Sequence, residues 1–134
     1  MSWEAQRQRT RTIGRVLDDV HRSGSSRIPA NWREPITCIF GSEGTFLVTL
    51  LYRWFNEFVQ RVDETVRHGC EDSERAAYMV RTQLAAERPA LHRVLTAHAE
   101  HPALRAARAD CAIRLSSGVR LALDGPPAAT ATAA

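Results

Sequence analysis

The segment from Ser42 to Gly69 places the strongest constraint on how this chain can fold. Its apolar residues recur every three or four positions and form one stripe that widens to one side. The stripe and its extension contain Phe46, Leu47, Leu50, Leu51, Trp54, Phe55, Phe58, Val59, Val62 and Val66. Charged side chains occupy the opposite face of the C-terminal half. The pattern predicts a long central helix over about residues 42–68, with Ser42 as its N-cap and Gly69 just after its end.

The other periodic segments have helical spacing too. We therefore predict an all-α fold, a compact bundle of five to six helices around the central helix, in a single domain over residues 1–124. The flanking helices are expected from Ser2 to about Arg22, over residues 36–40, after an N-cap at Ser73, from Pro89, and from Pro102 to about Leu123. Residues 125–134 have no periodic apolar face, and we expect a disordered tail there.

Residues 36–40, with the sequence ITCIF, are the one ambiguous segment. Their β-branched, apolar composition favours a strand by propensity. Nothing else in the chain offers such a strand a partner, and an isolated strand is not stable. A short helix opened by Pro35 agrees better with the rest of the sequence.

Composition excludes several classes of protein. A chain of 134 residues with 44% hydrophobic and 25% charged residues is typical of a soluble globular domain. Glu43 and Arg53 interrupt the central apolar segment well before the roughly 18 residues that a membrane span needs. No signal-peptide core is present, so we expect a cytoplasmic protein without a membrane partner. Cys38, Cys70 and Cys111 form no CxxC motif and should be reduced, with the first and last as core residues.

No catalytic or metal-binding constellation is recognisable. The sequence lacks paired carboxylates on a loop, a nucleophile with its base, and a glycine-rich cofactor cradle. His92, His98 and His101 lie close in sequence, but the residue before Pro102 is biased away from helical geometry. We therefore expect exposed and capping histidines, no metal, no cofactor and no enzymatic activity.

All 18 basic residues are arginines, and they are unevenly placed. Residues 1–33 contain seven of them against three acids. Arg7, Arg11 and Arg15 share one face of the first helix and could follow a phosphate backbone. A solvated, partly salt-bridged face explains them more simply, so nucleic-acid binding ranks third among the functions considered.

The leading hypothesis is a small non-enzymatic helical module for protein interaction or regulation. It rests on the broad apolar face of the central helix, which we expect to exceed what the flanking helices cover. The alternative is a ligand-sensing domain whose apolar pocket is lined by Trp54, Phe55 and Phe58. Arg53 either forms a buried anion clamp or, as we favour, reaches Glu57 at the surface. An enclosed cavity beside the central helix would favour the ligand-sensing domain, whereas an exposed apolar surface would favour the interaction module.

The first helix suggests self-association. Apolar and small polar residues repeat there with alternating spacings of three and four, a pattern that suits pairing with a second helix. The seam consists of Trp3, Gln6, Thr10, Ile13, Leu17 and Val20. We predict a homodimer joined through this helix, with Ile13 and Leu17 in the interface.

Overall fold

The computed structural model describes residues 2–69, 71–115 and 119–120. Within these ranges the regular structure is six α-helices and one short 3₁₀ helix. They are α1 (Trp3–Ser23), the 3₁₀ helix (Ala30–Trp32), α2 (Arg33–Phe40), α3 (Glu43–Arg67), α4 (Ser73–Glu87), α5 (Pro89–Ala97) and α6 (Pro102–Ile113). The predicted all-α bundle around a long central helix is confirmed.

Helix α3 is central because four other helices pack on it. Helices α2, α4, α5 and α6 contact α3, whereas α1 packs mainly on α2 and α5. The ends of α3 are those predicted: Ser42 Oγ accepts a hydrogen bond from the Thr45 backbone N–H at 3.1 Å. Beyond the other end, Gly69 has a φ of 113°, which glycine adopts without strain.

The apolar face of α3 is buried along its length. Trp54 stacks on Phe58 with ring centroids 5.0 Å apart, and Phe40 of α2 meets Phe46 edge to face at 5.1 Å. We expected the flanking helices to leave part of the apolar surface around residues 46–55 exposed. This prediction is wrong. Four helices surround this surface, and the exposed large apolar side chains of the described residues are Trp3, Met79 and Ile113, outside α3.

Helix α6 comes very close to the start of α3. A Cβ on Gly44 would lie 3.0 Å from Cβ of Ala103 and 3.2 Å from Cε1 of His101. A side chain at this position would require its neighbours on α6 to shift, so the glycine favours this close packing, and the GSEGT sequence is helical from Glu43 onward. Of its five residues only Gly41 and Ser42 lie outside the helices.

Prolines begin α5 and α6, as predicted, since Pro89 and Pro102 are the first residues of these helices. Helix α6 ends at Ile113, before the predicted end near Leu123. Arg114 and Leu115 follow it in a turn and a bend. The predicted tail over residues 125–134, the last predicted turn of α6 and Cys70 lie outside the described residues.

Helix α4 begins at Ser73, the residue that was predicted to be its N-cap. Asp72, not Ser73, is the N-cap, and its Oδ1 accepts hydrogen bonds from the backbone N–H groups of Glu74 and Arg75. A carboxylate at this position also interacts favourably with the positive end of the helix dipole. Its apolar residues Val80 and Leu84 are buried.

Helix α2 confirms the helical interpretation of residues 36–40, although it starts earlier, at Arg33. Pro35 lies in its first turn. Ile36 and Phe40, four positions apart, face the core together, so Cys38 between them faces outward. The prediction that Cys38 is a core residue is therefore wrong, whereas Cys111 is buried as predicted.

The predicted seam of α1 divides into two parts. Ile13 and Val20 are buried and Leu17 is half-buried, but Trp3, Gln6 and Thr10 are exposed. The core begins at residue 12 because only the C-terminal part of α1 is covered by its neighbours. Arg22 pairs with Asp19, three positions earlier on the same helix. Asp19 also accepts a hydrogen bond from Trp32 Nε1 at 2.6 Å, which holds the 3₁₀ helix against α1.

No single helix among the described residues is both long and apolar enough to cross a bilayer. The segment Ala30–Phe40 and helix α3 meet that criterion only as a pair, which is bent by 84° at its break.

Candidate functional site

Two concave surfaces flank the central helix. The first, the hollow, lies where α3, α4, α5 and α6 meet, and its cavity volume is about 50 Å³. Trp54 and Phe55, two of the three residues predicted to line an apolar pocket, form part of its floor. Phe58 does not reach the hollow, because it is fully buried beneath Trp54.

Basic side chains surround the apolar floor of the hollow. Arg81 comes from α4, His92 from α5 and Arg108 from α6, and Thr96 adds a hydroxyl. The remaining lining residues are the apolar Leu51, Leu95 and Leu104 together with Cys111. Among the described residues that line the hollow, none is acidic. A positive rim above an aromatic floor suits a ligand with a negative group and an apolar body.

Burial and charge perturb two titratable groups of the hollow. Burial lowers the pKa of His92, and the positive charge of Arg81 lowers it further. The imidazole is therefore neutral at neutral pH. Burial raises the pKa of the Cys111 thiol, which consequently stays protonated and unreactive.

The second surface, the groove, lies between α1, α3 and the beginning of α5. It is open along its length and has a volume of about 720 Å³. Its floor is apolar and contains Ile13, Leu17, Leu50, Pro89, Ala90 and Leu91. Its rim is polar and contains Asp18, His21, Arg53, Asn56, Glu57, Gln60, Glu87 and Arg88. The groove exists because α1 rests on α2 and α5 and leaves space beside α3.

An ion-pair network forms one wall of the groove. Glu57 accepts two hydrogen bonds from Arg88 and one from Arg61, and Arg61 also donates two to Glu87. The hydrogen bond from Arg88 is the main reason why the pKa of Glu57 lies below its ordinary value. These four charges neutralise one another, so the wall carries little net charge.

Arg53 makes neither of the two interactions considered from the sequence. It is exposed, and its Nη2 donates a hydrogen bond to Thr10 Oγ1 at 3.1 Å, which bridges α3 to α1 across one end of the groove. It does not pair with Glu57, because Arg61 and Arg88 already occupy that carboxylate. Ile13 and Leu17, predicted as interface residues, both line the groove.

The N-terminal arginines form a solvated face. Arg7, Arg11 and Arg15 are exposed, and Arg7 lies 3.6 Å from the carboxylate of Glu4. The guanidinium of Arg7 also lies over the ring of Trp3, 5.6 Å from its centroid. These local contacts are those of a partly salt-bridged surface.

The three clustered histidines have three separate environments. His98 is buried with Nδ1 2.9 Å from the carbonyl oxygen of Val94. His101 caps α6, since its Nδ1 accepts a hydrogen bond from the Ala103 N–H at 3.2 Å. His92 borders the hollow. Within the described ranges, no three metal-binding side chains lie together in a group that could hold an ion.

Sequence reasoning missed the basic rim of the hollow and the polar rim of the groove. Arg81 and Arg108 are 27 positions apart and lie in segments with no shared motif. Comparisons of the chain with models of protein families, with curated proteins and with solved structures find no match.

Proposed function

We propose that this protein is a non-enzymatic helical binding module whose groove accepts an amphipathic helix of a partner protein. The observation that carries the proposal is the open groove of about 720 Å³ between α1 and α3, with an apolar floor and a polar rim. Burial of an apolar helix face in such a groove is a common mode of recognition.

The dimensions of the groove suit a short helix. Its α3 side extends from Leu50 to Gln60, about 15 Å at the helical rise per residue, and a helix of about ten residues has this length. On the opposite side, Ile13, Leu17 and His21 follow one another at intervals of four along α1. Residues with this spacing lie on one face of a helix, so α1 presents a continuous edge to the occupant.

The rim favours a helix over a small molecule. A small-molecule site usually has a few polar groups that converge on one point. Here Arg88 and Glu57 are paired with each other, and Arg61 holds Glu87, so these groups already have their partners. The mixed, largely neutral rim would instead complement the polar face and flanks of an amphipathic helix.

Photo-crosslinking in cells tests the proposal and identifies the partner in the same experiment. A photoreactive amino acid replaces Asn56, which is exposed in the groove, and in a matched variant replaces Thr82, which is exposed on α4. We expect the Asn56 variant to capture one protein and mass spectrometry to map the crosslink to an amphipathic segment. A synthetic peptide of that segment should then bind the purified protein.

The control uses the same peptide. Leu17→Glu places a charge on the apolar floor and should weaken peptide binding about tenfold or more. Ile113→Glu introduces the same charge at an exposed apolar residue of α6 and should leave the affinity unchanged. Equal crosslinking from both positions, or equal affinities of the two variants, would reject the groove as the binding site.

Two other occupants give different results. Crosslinks to a second copy of this chain would make the groove part of the predicted homodimer. Recovery of a small molecule, with no crosslinked protein, would favour the ligand-sensing alternative, for which the hollow beside Trp54 and Phe55 is the supporting observation.

A further inference from the structure

The hollow gathers basic side chains that distant parts of the sequence contribute. Arg81, His92 and Arg108 come from three different helices and line the same small cavity. Arg81 and Arg108 carry full positive charges, and none of the lining residues in the described part of the chain is acidic, so the described lining gives the hollow a positive potential.

The side chain of Arg108 is available to a ligand. Within the described parts of the chain its guanidinium takes part in no hydrogen bond and no ion pair, and it is half-buried at the edge of the cavity. A planar guanidinium binds carboxylates with two parallel hydrogen bonds. The Thr96 hydroxyl, on the α5 side of the hollow, can donate a further hydrogen bond.

The apolar floor of the hollow determines which other chemical group a ligand must carry besides its negative group. Trp54 and Phe55 present apolar surface, which an inorganic oxyanion would leave without a favourable contact. The enclosed volume of about 50 Å³ admits only a compact group, with the rest of the ligand at the open mouth.

We propose that the hollow is a binding site for a small organic anion, whose carboxylate lies among Arg81, His92 and Arg108 and whose apolar part contacts Trp54 and Phe55. The site is separate from the groove, and this proposal stands whether or not the groove binds a helix. The neutral state of His92 is consistent with it, because the imidazole can then donate one hydrogen bond without adding a third full charge.

Titration of the purified protein with benzoate tests the site, and calorimetry gives the affinity and stoichiometry. We expect one benzoate per chain and a change in tryptophan fluorescence from Trp54. Benzamide, which has the same shape without the charge, should bind at least tenfold more weakly. No binding of benzoate at millimolar concentration to the folded protein would overturn the proposal.

Two arginine variants locate the binding. Arg108→Gln should weaken benzoate binding about tenfold to a hundredfold, since a charge-assisted hydrogen bond is lost. Arg105→Gln removes an exposed arginine three positions earlier on α6 that does not line the hollow, and it should bind benzoate like the wild type. Equal weakening in both variants would show a general charge effect and would overturn the assignment.

Inorganic phosphate separates an organic-anion site from a simple oxyanion site. We expect phosphate to bind more weakly than benzoate, because it makes no use of the apolar floor. Phosphate binding that equals or exceeds that of benzoate would reject the organic part of the proposal. Thermal unfolding of each variant without ligand checks that Arg108→Gln is folded under the conditions of the titration.

Discussion

The guanidinium of Arg88 donates two hydrogen bonds to the carboxylate of Glu57, from Nε at 2.8 Å and from Nη2 at 3.0 Å. This pair joins the middle of α3 to the residue that immediately precedes α5. Arg61 extends the pair into a network, since it donates to Glu57 at 2.8 Å and to Glu87 at 2.9 Å. The network therefore fixes the corner between α4 and α5, which is also one wall of the groove.

Replacement of Glu57 should reveal how much this network stabilises the fold. Glu57→Gln leaves two arginines without their shared anion, and we expect a loss of about 1 kcal/mol at neutral pH, because the network is partly exposed. The pKa of Glu57 is lowered in the fold, so its contribution is present above about pH 4.5 and is lost as the pH falls through the lower folded value. Urea unfolding at neutral pH and near pH 3 measures both effects.

The comparison is with Glu64→Gln, a neighbour on α3 whose side chain is exposed. This control should lower stability by less than about 0.5 kcal/mol at neutral pH. If the two variants lose the same stability at every pH, the Glu57 network does not act as described.

The sequence allowed the core to be predicted well, because burial follows helical periodicity. The apolar stripe of α3 is buried from Phe46 to Val62 apart from the half-buried Val59 at its side, and Val66 near the end of the helix is half-buried. Caps and first-turn prolines are equally local signals, so Ser42, Pro89 and Pro102 were assigned correctly. These features depend on residues at most four positions apart.

The candidate sites could not be predicted in the same way. Arg81 and Arg108 approach one cavity only because α4 and α6 pack on the same central helix. The groove likewise depends on where α1 rests, and no local pattern encodes this placement. Arg53 illustrates the limit: its sequence neighbours suggested Glu57, but the partner is Thr10, 43 positions away.

Trp54 should be one of the most important residues for stability. It is 7% exposed and stacks on the fully buried Phe58, so Trp54→Ala removes a large volume from the core. We expect a loss of about 3–5 kcal/mol in the free energy of unfolding, measured by urea denaturation. Trp3→Ala serves as the control, because Trp3 is 72% exposed and its loss should change stability by less than about 0.5 kcal/mol. Similar losses in the two variants would contradict this description of the core.

His92 should make the fold less stable in mild acid. The pKa of His92 is lowered by burial and by Arg81, so below about pH 6.5 the unfolded chain binds the proton more readily than the fold does. Stability should therefore decline as the pH falls from about 6.5 to the lower folded pKa, and should not decline for this reason above that range. His92→Gln should remove this part of the pH dependence.

Urea midpoints between about pH 7.5 and pH 5 provide the measurement. His68→Gln, at the exposed end of α3, retains His92 and should keep the decline of the wild type. An identical pH profile for the wild type and His92→Gln would rule out a perturbed imidazole at this position.

The N-terminal arginines should not support binding to nucleic acids. Arg7 already lies beside Glu4, and Asp18 and Asp19 interrupt the positive face further along α1. We expect no retention of the protein on a nucleic-acid column at physiological salt. Tight retention of the wild type would contradict this expectation. The contradiction would be strongest if replacement of Arg7, Arg11 and Arg15 by Gln abolished retention and reduced the slope of the salt dependence of binding by up to about three units.

The exposed end of α1 gives the predicted homodimer its most direct test. Trp3 is 72% exposed, and Gln6 and Thr10 continue the same seam into solvent, so this end could pair with a second copy without opening the core. We expect light scattering at micromolar concentration to give a mass near twice 15.0 kDa. Charged substitutions at Ile13 would be uninformative, because Ile13 is only 3% exposed and its replacement would unfold the chain.

Trp3→Glu is therefore the variant that should restore the mass of one chain while the melting temperature stays unchanged. Ile113→Glu is matched to it, since Ile113 is another large apolar side chain that is 74% exposed, but on α6. This control should remain dimeric. A monomeric wild type would end the homodimer proposal, and dissociation by Ile113→Glu but not by Trp3→Glu would place the contact outside the α1 seam. Neither Trp3 nor Ile113 contributes to the apolar floor of the groove. The light-scattering result therefore does not decide whether the groove binds a partner helix, which the crosslinking experiment tests separately.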